Sequence, residues 1–240
     1  MTFALAAGAA VVAAASFVQG LAGFGIGLVS LAVLPFLVTP TDAVVLMTLY
    51  AAVFCGVILV PLRRDFQLVG VDMLVVGSVL GTPLGVWVLA TVSGPVLARL
   101  IGLALVLVVA LEWSGRSPRR LPGRAWGLAA GVLSGVAGGA VGTPGPPAIV
   151  YMAAQGWSAR TVKANLQAFL VVNQLVILVG YWWAGLLTPA VWRLAAVFAL
   201  PALVGLLAGM RLFDRIDAVK FRRIVFAVLL ASGVALLLRG

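Results

Sequence analysis

Two glycine-rich stretches decide how this chain folds: Gly20-Leu21-Ala22-Gly23-Phe24-Gly25-Ile26-Gly27 and Gly135-Val136-Ala137-Gly138-Gly139-Ala140-Val141-Gly142. Each interrupts an apolar segment that is too long for one untilted membrane crossing, the first over residues 3–38 and the second over residues 125–155. Matched by eye, Gly20, Ala22, Gly23 and Gly27 correspond to Gly135, Ala137, Gly138 and Gly142. Irregular backbone at membrane depth persists only where it is buried in protein or lines a cavity. The duplicated interruption therefore predicts a site where the two stretches meet.

Composition places the chain in a membrane. It has 240 residues, of which 64% are hydrophobic and 9% are charged, and its apolar segments are long enough to span the hydrocarbon layer. The net charge of +10 does not indicate a nucleic-acid partner, because the 16 Lys and Arg lie in short connections, where they act as topology signals. The chain has no histidine and one cysteine, Cys55, which excludes a disulfide within the chain and argues against a His/Cys metal site.

The apolar segments divide into two halves of four blocks each. Residues 115–124 form the one clear polar linker, so we predict an N-terminal repeat over residues 1–114 and a C-terminal repeat over residues 125–240. In each half an interrupted block precedes three uninterrupted ones. The predicted blocks cover residues 3–38, 42–62, 68–91, 95–113, 125–155, 162–183, 188–210 and 218–238.

The distribution of Lys and Arg tests whether the interrupted blocks cross the membrane. If every block crosses once, the 16 cationic residues divide evenly between the two sides, contrary to the positive-inside rule. If the interrupted blocks are re-entrant hairpins, only Arg99, Arg193 and Arg239 face outward. Three crossings per half then make the two repeats inverted. A long kinked helix in place of each hairpin is the alternative. The connections predicted to be cytoplasmic are residues 63–65, 114–124, 156–163 and 211–223.

The sequence around the interruptions suits a small anion. A helix that restarts inside the membrane exposes free N–H groups at the positive end of its dipole. In the second segment, Thr143-Pro144-Gly145-Pro146-Pro147 predicts such a restart, because proline fits the first helical turn and Thr143 can cap it. The spacing of small residues in both stretches also fits close helix packing, which is the alternative reading.

Candidate site residues come from the two stretches and from polar positions in the blocks beside them. Amides and hydroxyls supply neutral donors that can replace an anion's water, whereas Cys55 and Gln174 fit helix packing better. No acidic residue lies clearly at the membrane midplane, so a carboxylate proton relay is poorly supported. We predict no catalytic residue, no metal site and no cofactor. The predicted substrate-binding residues are Gln19, Gly20, Gly23, Phe24, Gly25, Gly27, Ser134, Gly138, Gly139, Gly142, Thr143, Asn165 and Asn173.

Two regions carry a family resemblance. One is Phe17–Gly27 followed by Leu34-Pro35, and the other combines Gly135–Gly142 and the proline cluster with Lys163-Ala164-Asn165 and Asn173. Together they resemble the sulfite exporter TauE/SafE family over essentially the whole chain, although the proline cluster is richer in proline than the common pattern. The resemblance implies a small integral membrane carrier that moves sulfur-containing anions such as sulfite, sulfonates or thiosulfate, usually outward.

From the residues and the resemblance together, we expect a multi-pass protein of the bacterial inner membrane that carries a small sulfur-containing anion by alternating access. Its expected partners are the anion and the lipid bilayer, without nucleic acid, and homo-oligomer formation stays open. An anion channel or a carrier of another solute is the alternative within transport. A non-transporting membrane scaffold is the alternative from another class. An intramembrane enzyme is disfavoured because histidine, midplane carboxylates and a nucleophile–base pair are missing from the sequence.

Overall fold

The computed structural model describes residues 2–67, 70–114, 123–212 and 218–239, and within these ranges the chain is helical, without strands. Six helices there are long and apolar enough to cross a membrane, which confirms an all-helical membrane protein. A 3₁₀ turn, Leu34–Phe36, follows the second helix. The helices are α1 (Thr2–Ala22), α2 (Ile26–Val33), α3 (Pro40–Leu62), α4 (Asp72–Thr91), α5 (Gly94–Ser114), α6 (Arg124–Val141), α7 (Gly145–Ala153), α8 (Ala159–Trp183), α9 (Pro189–Leu212) and α10 (Ala218–Arg239).

Both interrupted blocks form a long helix followed by a short one, as α1–α2 and α6–α7. Three uninterrupted helices follow each broken pair. The helix after each pair begins at a side-chain cap: the Thr39 hydroxyl accepts from the N–H of Asp42 at 3.1 Å, and the Ser158 hydroxyl accepts from the N–H of Thr161 at 3.1 Å. Because Ser158 caps α8, this helix begins at Ala159, three residues before the predicted block.

Glycine lets the broken pairs pack tightly against neighbouring helices. The backbone of Leu74 lies against Gly131 and that of Thr82 against Gly139, so α4 and α6 run parallel. In the same way α1 runs parallel to α9, with Phe17 against Gly209. The long helices of the two broken pairs are therefore each held along their length by one uninterrupted helix.

Two ion pairs bring several connections to one end of the molecule. Arg160 lies 2.7 Å from Asp65, and Arg124 lies 2.8 Å from Asp72. Both carboxylates flank the connection between α3 and α4. Arg124 is at the start of α6 and Arg160 is at the start of α8, just after α7. The start of α6 and the end of α7 therefore lie at the same end of the molecule. We call this the basic end, defined by residues 63–67, 70–72, 123–124 and 156–160. It contains residues of three of the connections predicted to be cytoplasmic.

The two broken pairs enter from opposite ends. The α8 helix leads away from the basic end and α9 returns towards it, so α1, which is parallel to α9, starts at the far end. This is the arrangement expected of inverted halves, while the limits of the repeats stay a prediction. The predicted cytoplasmic residues 115–122 and 213–217 lie outside the described residues.

Candidate functional site

The chain leaves the helical conformation at two equivalent places, which we call break 1 (residues 23–25) and break 2 (residues 142–144). The α1 helix ends at Ala22 and α6 ends at Val141, 119 residues later; α2 and α7 begin at Ile26 and Gly145, again 119 residues apart. Gly23 has φ 84° and Gly142 has φ 65°. These left-handed values are strained for residues with a Cβ, so glycine permits both helices to end here.

The position of the breaks corrects the glycine match made from the sequence. That match equated Gly23 with Gly138 and Gly27 with Gly142, whereas in the structure Gly23 is equivalent to Gly142. The error is about one helical turn. It arises because glycines at the same spacing serve packing: a Cβ on Gly20 would meet the backbone of α9, and a Cβ on Gly139 would meet that of α4.

Break 2 restarts without the predicted cap. The residue that precedes α7 is Pro144, and no side chain accepts a hydrogen bond from the first turn there. The N–H of Thr143 donates back to the carbonyl of Ala137 at 3.3 Å, so Thr143 belongs to the end of α6 rather than to the start of α7. The prediction of Thr143 as an N-cap is therefore wrong.

The two breaks meet. A Cβ on Gly27 would collide with the carbonyl oxygen of Gly142, so the first turn of α2 rests directly on break 2. Between them lies a cavity of about 30 Å³, which is large enough for one or two waters. Its walls are Gln19, Phe24, Gly25, Ile26, Gly27, Leu28, Ala51, Cys55, Gly142, Thr143, Pro144, Gly145, Pro146, Leu170 and Gln174.

Helices α3 and α8 close the cavity through equivalent positions. The α3 helix contributes Ala51 and Cys55, and α8 contributes Leu170 and Gln174, each 119 residues after its counterpart. Each pair is four residues apart and so lies on one face of its helix. The caps Thr39 and Ser158 are also 119 residues apart, so the same offset governs the breaks and the walls of the cavity.

Side chains cover the carbonyl groups that each break leaves exposed. At break 1 the carbonyl of Gly23 accepts from the amide nitrogens of Gln167, at a short distance, and of Gln19 at 3.4 Å. At the end of α6 the Tyr181 hydroxyl donates to the carbonyl of Gly139 at 2.8 Å. Both caps from α8 satisfy carbonyl groups that would otherwise stay unpaired at a helix end.

The N–H groups at the start of α2 and α7 have fewer hydrogen-bond partners than the carbonyl groups at the breaks. The N–H of Ile26 donates to the side-chain oxygen of Gln19 at 3.1 Å. Those of Gly27, Leu28 and Gly145, which all belong to residues of the cavity wall, have no hydrogen-bond acceptor in the described part of the chain. The cavity therefore presents helix N-termini, which favour negative charge, while the carbonyl ends beside it are capped.

The predicted site residues fall into three groups. Six lie in the cavity wall: Gln19, Phe24, Gly25, Gly27, Gly142 and Thr143. Three lie just behind it: Gly23 packs against Gln167, while Gly138 lies beside both Pro144 and the fully buried amide of Asn173. Four lie elsewhere: Gly20 and Gly139 pack helices, the buried Ser134 hydroxyl has no hydrogen-bond partner among the described residues, and Asn165 accepts from the N–H of Gln67 at 2.9 Å.

The sequence reading missed the contribution of α3 and α8. The sequence favours packing for Cys55 and Gln174, yet both line the cavity. It offers Gln167 only as one of several polar donors in its block and Tyr181 as part of an interfacial aromatic belt, whereas both cap carbonyl groups at the breaks. A signal for them exists in the sequence. Lys163, Gln167, Leu170, Gln174, Ile177 and Tyr181 follow one another at spacings of four and three residues, which places them on one face of α8.

The cavity wall contains no charged side chain. The side chain of Lys163 packs against Gly23, on the face of α8 that continues to Leu170, seven residues or about 10 Å further along the helix. Among the described residues, no group of three His, Cys, Asp or Glu is arranged to hold a metal ion. The cavity can therefore recognise a ligand through neutral hydrogen-bond donors and helix dipoles.

Comparison with known proteins agrees with this architecture. The family model described as sulfite exporter TauE/SafE matches residues 8–236, which is nearly the whole chain. Neither the search of curated proteins nor that of solved structures returned a match. The family match spans both breaks and the five helices that line the cavity, α1, α2, α3, α7 and α8. The chain therefore belongs to the sulfite exporter TauE/SafE family of membrane transporters.

Proposed function

We propose that this protein is a secondary transporter that carries a small sulfur-containing anion, such as sulfite, a sulfonate or thiosulfate, through the site between the two breaks. The observation that carries the proposal is that both helix restarts line one cavity. Gly27, Leu28 and Gly145, whose N–H groups have no acceptor among the described residues, all line it. Such groups replace the water around an anion without a charged side chain. The family adds that the carried anion contains sulfur.

Transport would proceed by alternating access around this site. The broken pairs enter from opposite ends, so each end of the molecule has one break that can open towards it. The cavity is small in the conformation described, so in this proposal the elements around it move apart to admit the anion. In this proposal Gln19 and Thr143 contribute side-chain contacts, and no covalent chemistry takes place.

The basic end faces the cytoplasm in this proposal, because connections rich in Lys and Arg stay on that side of the bacterial inner membrane. Lys163 lies near this end and draws anions towards break 1. This placement favours loading from the cytoplasm, which is the direction of export.

Counterflow in proteoliposomes tests the proposal. Purified protein is reconstituted with unlabelled sulfonate or sulfite inside, and uptake of the labelled anion is followed against protein-free liposomes. The proposal predicts transient accumulation of label that saturates with concentration. A linear, non-saturating conductance would indicate a channel, and the absence of flux for every sulfur-containing anion would leave a scaffold as the better reading.

A further inference from the structure

The charge around the cavity bears on the net charge of the anion that it binds. The charge selectivity inferred from it rests on the proposed transport function and refines the class of substrate. The residues that line the cavity are all uncharged, so the positive potential there comes from the backbone. Lys163, about 10 Å from Leu170 along α8, is outside the wall and attracts anions of any valence.

Two helix N-termini supply that potential. The first turns of α2 and α7 both line the cavity, through Gly27 and Leu28 on one side and Gly145 on the other. The dipole of a helix is equivalent to roughly half a positive charge at its N-terminus, so the two restarts together supply about one. The opposing carbonyl ends are covered by Gln167 and Tyr181, which weakens the negative charge that they would otherwise add.

One polar side chain in the wall, Gln174, is incompletely hydrogen-bonded. Gln174 is 3% exposed and lines the cavity, and its side-chain oxygen has no hydrogen-bond partner in the described part of the chain. A buried amide oxygen without a partner costs free energy, so a water that donates to it, or the hydroxyl of a protonated oxyanion, is favoured there. The amide is neutral and adds hydrogen bonding without adding charge.

We infer that the site selects singly charged oxyanions, such as sulfonates and hydrogensulfite, against doubly charged ones, such as sulfate, fully ionised sulfite and thiosulfate, which narrows the cargo class of the proposed function. One negative charge is matched by the two helix termini. A second negative charge would lose its hydration without a counter-charge in the cavity wall, which is unfavourable in a site of low dielectric constant.

Flux measured against pH tests the inference on the wild-type protein. Three labelled probes are compared in proteoliposomes with protein-free liposomes subtracted: methanesulfonate, sulfite and sulfate. Methanesulfonate keeps one charge throughout, so its flux should stay constant between weakly acid and weakly alkaline pH. Sulfite flux should rise with the hydrogensulfite fraction as the pH falls. Sulfate flux should be at least about tenfold lower than that of methanesulfonate, because its second charge is unmatched.

A charge change in the wall provides the second arm. Gln174→Lys adds one positive charge beside the helix termini and should raise the ratio of sulfate flux to methanesulfonate flux by at least about tenfold. Equal wild-type flux of sulfate and methanesulfonate, or sulfite flux that follows the dianion, would overturn the inference and leave the transport function standing. The absence of flux for all three probes would remove both.

Discussion

Break 1 and break 2 occupy equivalent positions but end their helices by different means. Break 1 uses two left-handed glycines, Gly23 and Gly25, and its exposed carbonyl is shared by two glutamine amides. Break 2 uses one left-handed glycine, Gly142, followed by a proline-rich restart in which Pro146 and Pro147 carry no N–H. Break 1 is therefore rich in donors and conformationally free, whereas break 2 is fixed in shape and poor in donors.

This difference teaches which part of the site each break supplies. The first turn of α2 offers two unpaired N–H groups, at Gly27 and Leu28, and the first turn of α7 offers that of Gly145 together with the Thr143 hydroxyl in the wall. Break 1 therefore supplies most of the N–H donors, and break 2 supplies a backbone whose shape proline restricts.

The contact between the breaks gives the largest expected effect. Gly27→Ala places a methyl group against the carbonyl of Gly142 and forces the breaks apart, and overpacking of this kind costs about 1–3 kcal/mol. We expect counterflow to be lost while the protein still inserts in the membrane. Gly56→Ala is the matched control, because a Cβ there meets nothing within 4 Å. Wild-type flux in Gly27→Ala would show that the contact is dispensable.

The backbone of break 2 gives the next effect. Gly142→Ala imposes a left-handed conformation on alanine, at a cost of roughly 1–2 kcal/mol. Gly185→Ala imposes the same strain, at φ 69°, in the turn between α8 and α9. The midpoint temperature of thermal unfolding in detergent should fall by a similar amount in both variants, whereas only Gly142→Ala should reduce flux. A parallel loss of flux in Gly185→Ala would mean that strain, and not the site, is responsible.

The carbonyl caps Gln167 and Tyr181 lie outside the cavity wall, so they give the smallest effect on flux, and their effect on stability compares the breaks directly. Tyr181→Phe leaves the carbonyl of Gly139 unpaired, at a cost of about 1–3 kcal/mol. Gln167→Met removes one of two donors to the carbonyl of Gly23, which keeps Gln19, so its cost should be smaller. In denaturant or heat, Tyr181→Phe should therefore be less stable than Gln167→Met. The reverse ranking would contradict the assignment of Gln19 as a second cap.

Much of the fold follows from the sequence, because hydropathy and charge act locally. The predicted block over residues 125–155 became α6 and α7 with ends within two residues, and the interruption lies where glycine and proline exclude a continuous helix. Clustering of Arg124 and Arg160 at one end also agrees with the hairpin arrangement that the charge distribution favoured. These features depend on composition along the chain and on no distant contact.

The site was predicted only in part, because it depends on which faces meet. Glycine has two uses in this chain, and the sequence does not distinguish Gly142, which ends a helix, from Gly139, which packs one. Likewise the amide of Gln174 faces the cavity and that of Asn165 faces the connection before α4, although both are buried polar residues of α8. The direction of a side chain is fixed by the packing of α8 against α3 and both breaks.

Accessibility of Cys55 to a small maleimide measures the central claim most directly. The chain has no other cysteine, and this one is buried in the cavity wall, so the reagent reaches it only when the site opens. In proteoliposomes, methanesulfonate should slow the labelling of Cys55 in a saturable way. It should leave unchanged the labelling of an exposed control, Arg64→Cys in a Cys55→Ala background, at the basic end. Labelling of Cys55 at the same rate with and without an anion that the protein demonstrably transports would contradict a binding site between the two breaks.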